Sequence, residues 1–228
     1  MRGRGWVLAL LVMALPAAAQ DAPSASPAGG PPATSMDIAP TLVQLKPGAA
    51  GLFYVTNHGA VPLTVEIQAM DWAQRDGRDA LSPSAAFFTS PPVVTIAPGA
   101  RQSVRLLATK AGAYRLLVSE LPDPAADAGR VKVLLQFSVP VFAGLADTPA
   151  LAFSARRDGG GVILSAVNHG PAPVKLSAPR LGGVTLDPGP VYLLPGTRRD
   201  FFVASPASLH LTAHDVLSGR DFDTDVAP

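Results

Sequence analysis

The stretch GLFYVTNHGAVPLTV, residues 51–65, carries the pattern that decides the fold. Two apolar, β-branched runs flank Asn-His-Gly and a proline. Asn-Gly-type sequences supply the positive φ values of tight turns, and a nearby proline suits an edge or bulged strand. The same order recurs in GVILSAVNHGPAPVKL, residues 161–176. Both stretches therefore predict two strands joined by a turn.

A second pair of similar stretches follows in the same order. TIAPGARQSVRL, residues 95–106, resembles YLLPGTRRDFFV, residues 192–203, in its apolar pair, Pro-Gly, arginine and following strand. Two ordered repeats in one chain indicate two domains of one kind. The prediction is an all-β protein with two β-sandwich domains, about 110 and 80 residues long.

Short apolar runs separated by Gly, Pro, Asn or Asp turns support this fold class. Predicted strands cover 52–56, 63–67, 93–96, 104–107, 114–119 and 131–139 in the first half, and 162–167, 174–176, 191–194, 201–204 and 209–214 in the second. The chain has 21 glycines and 24 prolines, spread along its length, which argues against long helices. A formal net charge of +1 and the absence of a basic run predict no nucleic-acid partner.

The N-terminus is typical of an exported protein. Arg2 and Arg4 precede a short apolar run, and Ala17-Ala18-Ala19 fits a signal-peptidase site. This run is too short to span a bilayer, so no stable membrane insertion is expected. Cys is absent, which excludes a disulfide and a lipid-modified cysteine.

These features give a predicted domain organisation. Residues 1–19 form a signal peptide, and 20–35 form a disordered Pro/Ala/Ser tether. An N-terminal domain of 36–145 and a C-terminal domain of 146–228 follow. The loop at 122–130 is expected to be mobile.

Candidate catalytic and metal-binding residues have simpler interpretations. His58 and His169 are predicted to be turn residues, although histidine is also common in functional sites. His210 and His214 share one face of a predicted strand but stand about 13 Å apart along it, too far to bind one zinc ion.

Three other motifs also lack a reactive pattern. DFDTD, residues 221–225, resembles part of a calcium loop but is interpreted as a frayed acidic tail. The glycines at 159–161 predict a hairpin turn rather than a phosphate loop. No Gly-x-Ser-x-Gly motif is present, so the sequence predicts no catalytic residues, no cofactor and no metal.

Several motifs in order are similar to one known family. SPPVVTIAPGARQSVRLL (90–107), YRLLVSELP (114–122), Asp71-Trp72 and FSVPVF (137–142) resemble the N-terminal domain of periplasmic pilus-assembly chaperones of the chaperone/usher pathway. The VPVF ending and DWAQRDGRDALSP (71–83) are most similar to the spore-coat-U-like, archaic branch.

The resemblance implies two immunoglobulin-like domains and a specific function. Such a chaperone binds unassembled pilin subunits in the periplasm by donor-strand complementation, completing each subunit with an edge strand, and delivers them to an outer-membrane usher. The implied donor strand presents Val131, Val133, Leu135, Phe137 and Val139 on one face. A subunit groove would pair with this strand by β-strand addition. The alternative is that this face packs only within its own domain.

One feature of the family pattern is missing. The resemblance implies basic residues on the first strand and near the end of the donor strand, which hold the subunit's C-terminal carboxylate. Leu42 and Pro140 stand at those positions. Lys46 and Lys132 are available nearby but do not match the pattern.

Two other classes of function remain open from the sequence. One is an exported two-domain β-sandwich binding module without a pilus role, which would need an exposed ligand face. The other is a hydrolase, which would need a nucleophile and a base, and neither is visible.

Overall fold

A computed structural model describes residues 35–123, 133–146 and 148–227, and these residues form β-strands without an α-helix. The strands are β1 (Met36–Ala39), β2 (Val43–Leu45), β3 (Ala50–Asn57), β4 (Leu63–Arg75), β5 (Arg78–Pro83), β6 (Phe87–Ser90), β7 (Val93–Ile96), β8 (Arg101–Ala108), β9 (Gly112–Glu120), β10 (Gln136–Ala143), β11 (Leu151–Asp158), β12 (Gly161–Asn168), β13 (Val174–Leu181), β14 (Val184–Thr185), β15 (Val191–Leu193), β16 (Arg198–Ala204), β17 (His210–Asp215) and β18 (Arg220–Asp225). In this part of the chain no helix exists that is long and apolar enough to cross a membrane.

The first ten strands form two facing sheets. One sheet has the order β1-β3-β8-β6, and the other has the order β2-β10-β9-β4-β5, with β7 also paired to β4. Both sheets contribute to one hydrophobic core, in which Phe53 and Leu106 of the first sheet meet Ile67 and Leu116 of the second. This arrangement is a β-sandwich.

Alternation in the sequence explains how these strands bury one face. In β8, Val104, Leu106 and Ala108 are buried, whereas Arg101 and Arg105 are exposed. Successive side chains of a strand point to opposite faces, so a period-two pattern produces one apolar and one solvated face.

The last eight strands form a second sandwich. Its sheets have the orders β11-β12-β16 and β14-β13-β17-β18, with β15 paired to β13. Leu164 and Val203 of the first sheet pack with Leu176 and Leu211 of the second in a separate core. The predicted all-β class with two β-sandwiches is therefore confirmed.

The turns lie where the sequence pattern predicts them, but the positive φ values predicted for the two Asn-His-Gly motifs are wrong, because no residue of either motif has a positive φ. His58 and His169 lie in the turns after β3 and β12, and both are exposed. Gly159 and Gly160 form the hairpin turn between β11 and β12, with φ values of 54° and 109°.

Two other local predictions were wrong. The segment read as an acidic tail is β18, which pairs with β17 along its whole length. The strand predicted over 131–139 begins at Gln136 and continues to Ala143. Residues 1–34, which include the predicted signal peptide and most of the tether, lie outside the described residues, as do Val131, Lys132 and most of the 122–130 loop.

A small apolar cluster lies where the two sandwiches meet. Trp72 of β4, Phe142 of β10 and Leu194, which follows β15, are its buried members. Leu42, Tyr192 and Leu217 pack around them. We call these six residues the junction cluster.

Candidate functional site

The strand β10 lies near the margin of its sheet. All of β10 pairs antiparallel with β9, from Gln136 opposite Ser119 to Ala143 opposite Gly112. On its other side β10 pairs with β2 only at residues 141–143. Residues 136–140 therefore present a backbone edge that no other described strand covers. Pro140 suits this position, because proline in a sheet is confined to edges and bulges.

The side chains of the predicted donor segment grade from exposed to buried. Val133 is 80% exposed and precedes the strand, whereas Val139 is 2% exposed. Leu135 and Phe137 lie between these extremes and pack partly against the first core. The intervening Gln136 and Ser138 are exposed. The side chains on one face of this segment are thus buried in the first core at the Val139 end and exposed to solvent at the Val133 end.

Glu120 fixes the start of this segment. Its backbone N–H donates to the carbonyl of Leu135 at 2.8 Å, and its Oε2 accepts from the Leu135 N–H at 3.2 Å. Glu120 is 3% exposed, so these bonds are shielded from water. They extend the β9–β10 pairing by one residue before the strand proper.

The two positions where the family pattern has basic residues take other roles. Leu42 packs in the junction cluster. Pro140 is buried and stands opposite Arg115 of β9 in the sheet register. A cationic side chain therefore lies directly opposite Pro140, on the neighbouring strand β9.

Arg115 occupies a pocket of aromatic rings at the junction of the sandwiches. Its guanidinium carbon lies 3.7 Å from the ring centroid of Trp72 and 5.0 Å from that of Tyr192. Its Nη2 is 3.5 Å from Asp79 Oδ2, and Nη1 is 3.5 Å from the carbonyl oxygen of Ser138. Burial lowers the pKa of Arg115, and Asp79 and then Tyr192 oppose that shift. The guanidinium remains charged near neutral pH, because the pKa of arginine is very high.

Sequence reasoning did not identify Arg115 as a candidate. It lies within YRLLVSE, where a single charged residue in an apolar run looks like an ordinary solvent-facing position. The sequence carries no signal for it, because alternation predicts an exposed residue between the buried Tyr114 and Leu116, whereas Arg115 is only 9% exposed in the structure. Trp72 of the first sandwich and Tyr192 of the second together cover the guanidinium.

Two histidines of the second sandwich form paired surface contacts. His210 lies 2.9 Å from both Asp223 and Asp225, and His214 lies 2.7 Å from Asp221. Within the described ranges, no group of three or more His, Cys, Asp or Glu side chains could hold a metal ion. These contacts join β17 to β18 and do not form a reactive constellation.

A family model matches the first sandwich. Residues 35–144 match the pili and flagellar-assembly chaperone family, PapD N-terminal domain. No curated protein sequence matches the chain.

Solved structures share the fold of both sandwiches. The chaperone CsuC of Acinetobacter baumannii archaic Csu pili, solved with the tip adhesion subunit CsuE, is similar with a TM-score of 0.67 and 23% identity, covering 85% of this chain and 98% of that one. The structure of Salmonella enterica SafA pilin with the SafB chaperone gives 0.66 and 14%, covering 84% and 96%. The E. coli chaperone DraB gives 0.61 and 17%, covering 85% and 97%.

These likenesses establish the two-sandwich fold along most of the chain, and the family match assigns its first half. The first β-sandwich, residues 35–144, therefore belongs to the pili and flagellar-assembly chaperone family as its PapD N-terminal domain.

Proposed function

We propose that this chain is a periplasmic chaperone that binds unassembled pilus subunits along β10 and delivers them to an outer-membrane usher. The observation that carries the proposal is the uncovered edge of residues 136–140, which continues an apolar row. An open strand edge beside apolar side chains normally promotes aggregation. The match of the first sandwich to the pilus-chaperone family supports a different role for this edge, which is to pair with a subunit.

Subunit binding follows the physics of β-strand addition. An incomplete subunit sheet would pair its backbone with the free edge of β10, which supplies main-chain hydrogen bonds. Of the predicted donor residues Val131, Val133, Leu135, Phe137 and Val139, the first four would face the subunit groove, with side-chain pockets setting the register, and Val139 would stay in the chaperone's core. The row would therefore contribute to two cores at once. Its buried end at Val139 belongs to the chaperone, and its exposed end at Val133 is free for the subunit.

Glu120 supports this geometry. Because it bonds both the N–H and the carbonyl of Leu135, the segment entering β10 has a defined register before a subunit binds. A pre-ordered segment loses less conformational entropy on binding.

Arg115 is our candidate to hold the subunit's C-terminal carboxylate. It stands opposite Pro140, beside the donor edge, and its guanidinium is restrained by Trp72. Arginine forms charge-assisted, bidentate bonds with carboxylates. Its ion pair with Asp79 is 3.5 Å long, and Asp79 is 46% exposed, so solvent already competes for that contact.

Several features of the sequence complete this proposal. Residues 1–19 would direct export and be removed, and residues 20–35 would tether the first domain, 36–145, which precedes the second, 146–228. The chain would act by binding rather than catalysis. It would need no cofactor.

The test is a complex with a small secreted pilin-like protein encoded beside this gene. We expect a one-to-one complex in which the backbone amides of Gln136 and Ser138, which face away from β9, exchange hydrogen more slowly than in the free chain. A complex that leaves this exchange unchanged would show that binding uses another surface. Failure to capture any neighbouring pilin-like subunit would contradict the chaperone proposal itself.

A further inference from the structure

The hairpin β4–β5 reaches from the first sandwich to the second. The strand β4 is 13 residues long, and its turn at Asp76 and Gly77 has φ values of 51° and 72°. A Cβ placed on Gly77 would lie 3.8 Å from the carbonyl oxygen of Arg198 and from Cα of Arg199. The tip of the hairpin is therefore in van der Waals reach of the second sandwich.

Gln74, near the end of β4, is bonded to that second sandwich by both ends of its amide. Nε2 donates to the carbonyl of Tyr192 at 2.9 Å, and Oε1 accepts from the backbone N–H of Leu194 at 2.9 Å. The Thr197 hydroxyl also lies 2.9 Å from Oε1. That hydroxyl has one proton, which it shares between Gln74 and the carbonyl of Leu194 at 2.8 Å.

The same amide connects to the first sandwich. The second proton of Nε2 reaches Asp79 Oδ1 at 2.9 Å. Asp79 Oδ2 in turn lies 3.5 Å from Arg115 Nη2. A continuous polar chain thus runs from Thr197 through Gln74 and Asp79 to Arg115.

The junction cluster beside this chain contributes apolar contacts between the sandwiches. Apolar burial is proportional to area and has no direction, whereas hydrogen bonds weaken steeply when they are bent. Trp72 and Leu194 are 4% and 5% exposed, so the adjoining hydrogen bonds of Gln74 are partly shielded from water. The Gln74 amide supplies directional hydrogen bonds at this junction.

We propose that Gln74 is a positioning residue that fixes the angle between the two sandwiches and, through Asp79, the place of the Arg115 guanidinium. The first half concerns the free chain alone. The second half rests on the proposed function, because it matters only if Arg115 receives a subunit carboxylate. We call the hydrogen bonds of Gln74 to the second sandwich the brace. The segment 71–83, DWAQRDGRDALSP, then has a specific role, because it carries both Gln74 and Asp79.

The experiment measures the distance between the sandwiches directly. The chain contains no cysteine, so Ser103→Cys on β8 and Thr224→Cys on β18, both at exposed positions, allow two nitroxide labels at defined sites. Pulsed electron spin resonance then gives the distance distribution. Gln74→Ala removes the bonds, and Gln74→Glu keeps the acceptors but loses the donors and faces Asp79. Gln68→Ala, an exposed glutamine on the same strand, is the matched control.

We expect a single narrow distribution for the unsubstituted chain and for Gln68→Ala. Both Gln74 variants should give a distribution about twice as broad, since small interdomain contacts permit relative motion by default. Their circular dichroism and thermal unfolding should stay close to those of the control, because neither core includes Gln74. An unchanged distribution in Gln74→Ala would overturn the proposal.

Subunit capture separates this inference from the chaperone function. If the unsubstituted chain captures a subunit, the Gln74 variants should capture it with lower affinity in proportion to their broadening. If a Gln74 variant gave a broad distance distribution but captured the subunit with full affinity, Gln74 would fix the interdomain angle but would not place Arg115 for binding. If the unsubstituted chain captures nothing, the proposed function fails, and the distance measurement still decides the brace.

Discussion

Asn57 of the first sandwich and Asn168 of the second make the same set of hydrogen bonds. The Nδ2 of Asn57 donates to the carbonyls of Val61 and Ile96, and Oδ1 accepts from the N–H of Gly59. In the second sandwich, Asn168 bonds in the same way to Ala172, Leu193 and Gly170. Both asparagines are 0% exposed.

This relationship explains why two sequence motifs repeat together. The backbone of Asn57 bonds to Gly99 and Ala100 in the first Pro-Gly turn, and the backbone of Asn168 bonds to Gly196 and Thr197 in the second. Asn-His-Gly and Pro-Gly therefore form one structural unit in each sandwich. The asparagine is the buried member of its motif, and the histidine beside it is exposed.

Replacing either asparagine should destabilise its own sandwich. Asn57→Ala leaves two carbonyls and one N–H without their partner, and we expect a loss of about 2 to 4 kcal/mol in the free energy of unfolding. Asn168→Ala should act similarly on the second sandwich. Differential scanning calorimetry of each variant measures the change.

The neighbouring histidines are the matched controls. His58→Ala removes only a surface contact with Asp37, and His169→Ala changes an exposed turn residue, so each should alter stability by no more than about 0.5 kcal/mol. If the histidine variants were as destabilised as the asparagine variants, the asparagine network would not be the reason for the repeat.

Substitution of Arg115 should weaken the binding of subunits that end in a free carboxylate. Arg115→Ala removes a charged hydrogen-bond donor, and we expect a loss of about 10- to 100-fold in affinity. Arg115→Lys keeps the charge but not the planar, bidentate group, so its affinity should be intermediate. Titration calorimetry with a purified subunit provides the measurement.

A subunit with an amidated C-terminus isolates the role of charge. The unsubstituted chaperone should bind it more weakly than the native subunit, and Arg115→Ala should bind both equally. If Arg115→Ala reduced the affinity for both subunits by the same factor, Arg115 would act through the junction rather than on the carboxylate.

The stability of the second sandwich should fall as the solution becomes alkaline. The hydrogen bond that His210 donates to Asp225 raises the pKa of His210 above its ordinary value of 6.5; desolvation opposes this shift, and Asp223 adds to it. A raised pKa means that the folded state binds the proton more tightly than the unfolded state. The stabilisation is fully present below about pH 6.5 and is lost as the pH rises through the folded pKa.

Urea unfolding followed by circular dichroism at pH 6 and pH 9 tests this dependence. His210→Gln should remove part of the difference between the two pH values, with its effect concentrated at the acid side. If the variant retained the whole pH dependence of the unsubstituted chain, another group would be responsible.

The apolar pattern predicted the long strands well, because period-two burial is a local property. It failed where polar residues continue a strand. The run Leu63–Ile67 extends to Arg75, since β4 continues past its own core to reach the second sandwich. Asp221, Asp223 and Asp225 looked like an unstructured tail, but they are the outer face of β18, opposite His214, Thr212 and His210.

The candidate site shows the same limit. The family resemblance predicted 131–139 as the donor segment, and the uncovered edge at 136–140 depends on β2 pairing only with residues 141–143. Sequence could not place Arg115 beside Pro140, because that contact depends on strand register. It could not place Gln74 either, since its partners lie 118 to 123 positions away in the chain.

The apolar row provides the most direct test of the central claim, that this segment completes a pilus subunit. Val133 is 80% exposed, so it contributes little to the chaperone's own core. Val133→Asp should leave thermal unfolding unchanged. In the complex it would bury an unpaired carboxylate, at a cost of several kcal/mol, which lowers subunit affinity by about 100-fold or more.

Leu134→Asp, at an adjacent residue that is 41% exposed, is the matched control, because it should point away from the groove. The decisive measurement is the dissociation constant of a purified pilin-like subunit for these two variants and the unsubstituted chain. We expect Val133→Asp to lose about 100-fold or more in subunit affinity and Leu134→Asp to bind with near-normal affinity. Equal binding by both variants and the unsubstituted chain would contradict strand donation through this segment.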